Sequence, residues 1–261
     1  MSKIIAVANQ KGGVGKTTTS INLSASLAVL GKRTLVIDMD PQGNSSSGLG
    51  INSIPDGMSL YRAILGEIPL SKTIKNCEIG ELKIIPSTQD LYGAEIELID
   101  TTSRELLLKN AMQNIKDDFH YTIIDCPPSL GLLTINALCA ATSVLVPLQC
   151  EYYALEGIAQ LLETVKRIRR NFNPDLEIEG ILLTMFDSRT NLSNEVTENV
   201  IERFSAKVFK TIIPRNVRLS EAPSFGKPII LYDRHSKGAL TYQQLAEEII
   251  ENEKKISWQG A

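Results

Sequence analysis

A glycine-rich loop closed by a lysine and two threonines, running from Gln10 to Thr18, lies between a short apolar run at 4–8 and a helix-period segment at 16–30. Few folds accommodate a strand, a tight glycine loop and a helix in that order. Glycines at 12, 13 and 15 let the backbone wrap closely round phosphate oxygens, and the helix N-terminus adds unpaired N–H groups and a positive dipole end. Lys16 can then reach the β and γ oxygens, and the Thr17 hydroxyl can ligate Mg²⁺. The loop therefore predicts a nucleoside triphosphate site with Gly12, Gly13, Val14, Gly15, Lys16, Thr17 and Thr18 around the phosphates.

The rest of the chain fits the same unit repeated. Strands are expected at 4–8, 34–38, 82–86, 121–125, 144–148, 178–184 and 208–212, most of them apolar throughout, as strands buried on both faces are. Helices are expected near 16–30, 59–65, 104–116, 132–140, 155–170, 193–204 and 240–253, with Gly31 closing the first. Strand and helix in alternation mean right-handed crossovers and an α/β fold: a doubly wound, mostly parallel sheet with helices on both faces. No internal repeat or Gly/Ser-rich linker divides the 261 residues, so one domain over 1–261 is expected.

Composition narrows the function classes. With 27 Lys+Arg against 30 Asp+Glu the chain carries a net charge of −3, so any nucleic-acid binding must use a local patch. Cys77, Cys126, Cys139 and Cys150 stand 49, 13 and 11 residues apart, which gives no zinc-type spacing. No stretch approaches the ~20 apolar residues that span a bilayer. The start of the chain lacks the pattern of a secretory signal, so a cytoplasmic location with reduced thiols is expected.

Two strand ends supply carboxylates to the glycine loop. The run Leu35-Val36-Ile37-Asp38-Met39-Asp40-Pro41-Gln42-Gly43 offers Asp38 and Asp40, and Tyr121-Thr122-Ile123-Ile124-Asp125-Cys126-Pro127-Pro128 offers Asp125. An aspartate at a strand end is often a turn former, but three elements in this order build a phosphoryl-transfer site.

Lys11 stands where the first glycine of the general GxxxxGK[ST] pattern is usual. In this the KGGVGKTTT segment resembles the deviant Walker A box of the ParA/MinD group of P-loop ATPases. The runs DPQGNSSSGLG, GAEIEL, IIDCPPSLGLLTINAL, PLQCEYYALEG, LLTMFDSRTNLS and IPRNVRLSEAPSFGKPIILYD extend the resemblance over nearly the whole chain, to the chromosome-encoded ParA (Soj-type) branch. The resemblance implies an ATP-sandwich homodimer in which Lys11 reaches the nucleotide of the partner subunit. It assigns Asp40 to the attacking water, Asp38 and Asp125 with Thr17 to Mg²⁺, and Pro214 and Asn216 to the adenine.

It also implies non-specific double-stranded DNA binding by the ATP-bound dimer, a ParB-type centromere-binding partner, a nucleoid-associated location and no membrane binding. The sequence offers a local basis for the DNA. Between Arg203 and Lys237 there are eight Lys/Arg (203, 207, 210, 215, 218, 227, 234, 237) and two acids (Glu221, Asp233), a balance of 8 − 2 = +6. Such a patch suits phosphate contacts, which set affinity without reading bases. Arg189 and Arg218 match basic positions that the family uses for DNA, followed by Lys207, Lys210 and the cluster Lys166, Arg167, Arg169 and Arg170. Two relatives of the same fold are the alternatives. A MinD-like membrane-cycling ATPase would end in a basic amphipathic helix, whereas the tail at 245–258 is acid-rich. An iron–sulfur protein would need shared cysteine ligands that this spacing does not offer.

Overall fold

The computed structural model describes residues 2–151 and 154–259, so that Tyr152 and Tyr153 of the PLQCEYYALEG run lie outside the described residues. Its strands are β1 (Lys3–Val7), β2 (Thr34–Asp38), β3 (Lys75–Asn76), β4 (Leu82–Ile85), β5 (Tyr121–Asp125), β6 (Ser143–Gln149) and β7 (Glu177–Thr184). They form one sheet in the order β3-β4-β2-β5-β1-β6-β7, parallel throughout except for the short β3 at its edge.

The helices, in chain order, are α1 (Lys16–Val29), α2 (Asn44–Gly48), α3 (Leu60–Ile64), α4 (Ala94–Glu97), α5 (Leu107–Ala111) and α6 (Leu132–Ala140). They continue with α7 (Ala154–Asn171), α8 (Asn191–Phe204), α9 (Val217–Glu221), α10 (Ile229–Tyr232) and α11 (Lys237–Gln259).

The apolar runs are explained by burial on both faces. In β1, Ile4 and Ala6 join the core under α3 to α8, while Ile5 and Val7 join the opposite core with Leu23, Leu27, Leu245 and Ile249 of α1 and α11. Neither face of the central strands meets water, so an alternating polar pattern would have cost burial energy on one side. The first helix ends as expected. Gly31 takes a left-handed φ of 76°, its N–H reaches Ala28 O at 2.9 Å, and Lys32 N reaches Leu27 O at 3.1 Å, a Schellman closure.

Two expectations need correction. Residues 208–212 do not form a regular strand. Phe209 N donates to Ile181 O (3.0 Å) and Ile213 N to Leu183 O (2.9 Å), so four residues on one side span two on the other. The excess bulges outward, and Glu248 of α11 accepts the N–H groups of Lys210 and Thr211 at 2.8 and 3.0 Å. The helix expected over 104–116 is broken. The Asn136 side chain accepts from Leu108 N (3.1 Å) and donates to Arg104 O (2.8 Å), taking both ends of what would be one α-helical hydrogen bond. The seventh strand is instead the two-residue β3, too short to read from sequence.

Candidate functional site

The parallel strands β1, β2 and β5 end together. Val7 and Asp125 are in register, and so are Asp38 and Asp125. The C-terminal edge of an open α/β sheet is where such folds bind ligands, because the loops diverge there. The Gln10–Thr18 loop leaves β1 at that edge. Asn9 anchors its start, with Nδ2 donating to Pro147 O at 2.7 Å and Oδ1 accepting from Lys11 N at 3.0 Å. Thr184 Oγ1 holds its middle, donating to Val14 O at 2.8 Å.

Gly13 and Gly15 have φ of 75° and 89°, a left-handed conformation that a side chain at either position would strain. Gly15 is the N-cap of α1 and no side chain caps that end, so the first N–H groups of the helix are left for an anion. Lys16 lies in the first turn, nearly buried, with its ammonium 3.1 Å from Lys11 O. Burial lowers its pKa and the nearby Asp125 opposes that fall. Among the described residues its ammonium has a backbone partner but no direct carboxylate bond, the arrangement of a cation reserved for a ligand.

Asp38 and Asp125 are both fully buried. Asp38 Oδ2 accepts from Ser46 N (2.8 Å) and Ser46 Oγ (2.6 Å) of α2; Asp125 accepts from Ser20 Oγ of α1 (2.9 Å) and Ser45 Oγ of α2 (2.7 Å). Burial raises the pKa of both carboxyls. Repulsion from Asp125 raises Asp38 further, while the hydroxyl donors, Thr17 among them, pull Asp125 back. Two like charges held side by side and donated to by hydroxyls fit a hard divalent cation, which their oxygens and Thr17 could share with phosphate. Among the described residues no three His, Cys, Asp or Glu cluster as a metal cage. A Mg²⁺ site needs none, since phosphates and water complete it.

Asp38 and Asp40 are separated by where β2 ends. Asp38 is the last residue of the strand, and the chain then turns so that Asp40 Oδ1 accepts from Gln42 N at 3.0 Å. Asp40 lines a cavity of about 270 Å³ with Gly12, Gly13, Lys16, Thr17 and Pro128. A second cavity of about 390 Å³ opens beside it, lined by Gly15, Thr18, Pro214, Asn216, Leu219 and Tyr242 among others. Pro214 and Asn216 therefore line one cavity, beside the phosphate loop. The Asn216 side-chain oxygen Oδ1 also caps α9 by accepting from Arg218 N at 2.8 Å.

Met185 was not anticipated. It lines both cavities and has a φ of 53°, a costly conformation for a side chain with a Cβ. Its sequence context, Thr184-Met185-Phe186, gave no sign of this because nothing local demands a left-handed residue there.

The Lys11 ammonium pairs with Glu151 at 3.0 Å, both side chains remaining partly exposed. Arg189 forms a two-pronged pair with Asp187, at 2.8 and 2.7 Å. Arg218 pairs with Glu221 at 2.9 Å and Asp233 at 3.6 Å. The segment bearing Asp187 and Arg189 runs beside that bearing Pro214 and Arg215, joined by Phe186 N to Ile213 O (3.1 Å) and Arg215 N to Phe186 O (3.0 Å). Arg189, Arg215 and Arg218 therefore share the cavity end of the sheet. Lys207 does not: its ammonium donates to Ile178 O at the start of β7, about 20 Å of strand away from Thr184. Lys210 lies on the bulge held by Glu248, and Arg169 and Arg170 are in the last turn of α7.

Cys126 is buried directly after Asp125, and its thiol pKa is pushed up by burial and then by Asp125. That is the wrong environment for a thiolate metal ligand. All four cysteines are free. Among the described residues no helix is long and apolar enough to cross a membrane.

Comparison with known proteins agrees with this geometry. Residues 2–178 match the family described as AAA domain. The sporulation initiation inhibitor protein Soj of Bacillus subtilis (strain 168) is 58% identical over 252 residues, 97% of this chain and 100% of that protein. The chromosome partitioning protein ParA of Myxococcus xanthus (strain DK1622) is 54% identical, over 97% of this chain and 89% of that protein. Among solved structures, cobyrinic acid a,c-diamide synthase from Mycobacterium smegmatis with bound ADP and magnesium is 39% identical. It has a TM-score of 0.85, covering 97% of this chain and 96% of that one. The cell division ATPase MinD of Pyrococcus furiosus is 28% identical with a TM-score of 0.79, over 96% and 99% of the two chains. With its phosphate loop, paired carboxylates and flanking cavity in place, the chain belongs to this AAA-domain family of P-loop ATPases, in its ParA/Soj chromosome-partitioning branch.

Proposed function

We propose that the chain works as a single-domain, slow, Mg²⁺-dependent ATP switch in chromosome or plasmid partition: ATP assembles a homodimer, the dimer binds DNA without sequence preference, and hydrolysis releases it. The observation that carries this reading is the division of labour between the two loop lysines. Lys16 is buried over its own loop, whereas Lys11 is partly exposed and pairs with the partly exposed Glu151. A partly exposed cation at the mouth of a phosphate site serves a second subunit better than its own.

In this reading the N–H groups at the start of α1 and the Lys16 ammonium bind the phosphates, and the 390 Å³ cavity receives base and ribose between Pro214, Asn216 and Tyr242. Thr17, Asp38 and Asp125 would hold Mg²⁺, which when bound neutralises phosphate charge as it builds up. Asp40 orients the attacking water. Phosphoryl transfer depends chiefly on positioning and charge stabilisation, so a site that lacks its second lysine until dimerisation stays slow in the single chain. Arg189 and Arg218, at the cavity end, contact DNA phosphates. A ParB-type protein is the partner that raises turnover, and the protein acts in the cytoplasm on the nucleoid.

The test is an ATPase assay with Mg²⁺, with and without duplex DNA and a ParB-type partner. Synergistic stimulation by both supports partition; stimulation by anionic vesicles in place of DNA refutes it.

A further inference from the structure

The basic segment from Arg203 to Lys237 holds only two acids, Glu221 and Asp233, and both close on the same residue. Arg218 Nη1 lies 2.9 Å from Glu221 Oε2, and its Nε lies 3.6 Å from Asp233 Oδ2. Tyr232 OH, from α10, lies 3.1 Å from the same Glu221 oxygen and steadies it. The Arg218 side chain is about half exposed, so solvent and ligands can reach it. Two of its edges are nevertheless already taken. One cation and two carboxylates make a cluster of net charge −1 at a position where DNA phosphate would have to approach.

The placement of the two acids differs. Glu221 stands at the end of α9, one turn after Arg218 on the same helix. Asp233 follows α10, a separate element. Helix α9 itself borders the 390 Å³ cavity through Val217, Leu219 and Ser220, while Arg218 faces out. The contact to Asp233 therefore joins the cavity wall to a neighbouring element.

We propose that Glu221 and Asp233 form an intramolecular clamp that masks Arg218 and lowers the affinity of the chain for nucleic-acid phosphate. This rests on the DNA-binding reading above and adds its regulation: phosphate must displace carboxylate before Arg218 can contribute. Exposed ion pairs are each worth about 0.2–1 kcal/mol, so each acid should weaken binding by about 1.5- to 5-fold. Arg218, once released, adds one phosphate contact, which steepens the log–log salt dependence by about 0.9.

The experiment is a double-mutant cycle on the full chain with Mg²⁺ and a non-hydrolysable ATP analogue, titrating a random-sequence duplex at two or more salt concentrations. The variants are Glu221→Gln with Asp233→Asn, alone and combined with Arg218→Ala. Gln keeps an acceptor for Tyr232, and thermal midpoints confirm folding. Where the acids mask Arg218, the neutralised pair binds about 2- to 25-fold tighter with a steeper salt slope, and the gain vanishes when Arg218 is Ala. An equal gain in both backgrounds reports general charge removal and overturns the clamp. Weaker binding means the acids orient Arg218 and also overturns it. If Arg218→Ala leaves affinity unchanged in the neutralised background, the clamp falls but DNA binding elsewhere survives; no duplex binding by the native chain defeats both readings.

Discussion

Replacing Asp38 with Asn should stabilise the ligand-free protein while destroying its Mg²⁺-dependent activity. Asp38 and Asp125 are in-register neighbours on adjacent strands, both fully buried. Neighbouring strands lie about 4.8 Å apart, and like charges at that spacing repel by about 3 kcal/mol at an effective dielectric of about 20. The Asn oxygen can still accept both Ser46 donors. The longer contact from Asp40 N, at 3.3 Å, is lost at a cost of about 1 kcal/mol. A net gain of about 2 kcal/mol remains, which for a chain of this size raises the midpoint of thermal unfolding by about 4–8 °C.

The pH dependence fixes the cause. A carboxyl whose folded pKa is raised contributes stability at low pH that is lost as pH rises through the raised value, because the folded state holds the proton longer than the unfolded. Native protein should lose stability between about pH 5 and pH 8.5 through this pair, and the Asn variant should lose less. The assay is calorimetry or circular dichroism of metal-free, nucleotide-free protein at both pH values. A variant less stable than native at pH 8.5, or a gain of the same size at both pH values, would refute the reasoning.

Other expectations follow from single contacts. Asp40→Ala should bind ATP and dimerise yet lose at least about 100-fold in turnover, as loss of a water-positioning group does; a native rate would remove Asp40 from that role. Glu248→Ala frees three donors, Lys210 N, Thr211 N and Thr211 Oγ1, so urea unfolding should show a loss of about 2–4 kcal/mol. An unchanged midpoint would mean that water replaces the carboxylate without cost. Met185→Gly relieves the left-handed strain and should stabilise the apo protein by about 1 kcal/mol while weakening ATP binding, read by melting and by nucleotide titration. Arg218→Glu should abolish binding to duplex DNA and leave basal hydrolysis intact, checked by filter binding beside a phosphate-release assay.

Much of this architecture was legible in the residues because the strongest signals were local. The apolar runs named six of the seven strands, since strands buried on both faces leave no other pattern, and α6 emerged at 132–140 as read. Glycine positions in the phosphate loop and at Gly31 were legible because left-handed backbone has few other occupants. The misses have long-range causes. The break at 104–108 is made by Asn136, 28 residues beyond Leu108, and the bulge at 209–213 is completed by Glu248 of the last helix. No window of sequence contains both partners. The partner of Lys11 is 140 residues away and was hidden in the same way, whereas Asp187 and Glu221 stand two and three residues from Arg189 and Arg218 and were missed because a charge count over a segment records neither direction nor distance. Ser45 and Ser46 were visible in the sequence as a serine run, yet their role as donors to the buried aspartates depends on α2 folding back over two strand ends.

The most direct measurement of the central claim is the molar mass of the full chain by light scattering, with Mg²⁺ and a non-hydrolysable ATP analogue, for native protein and for Lys11→Ala. The account predicts a dimer for the native chain and a monomer for the variant, with nucleotide bound by both. A native chain that stays monomeric with nucleotide bound, or a Lys11→Ala chain that dimerises as well as native, would contradict it.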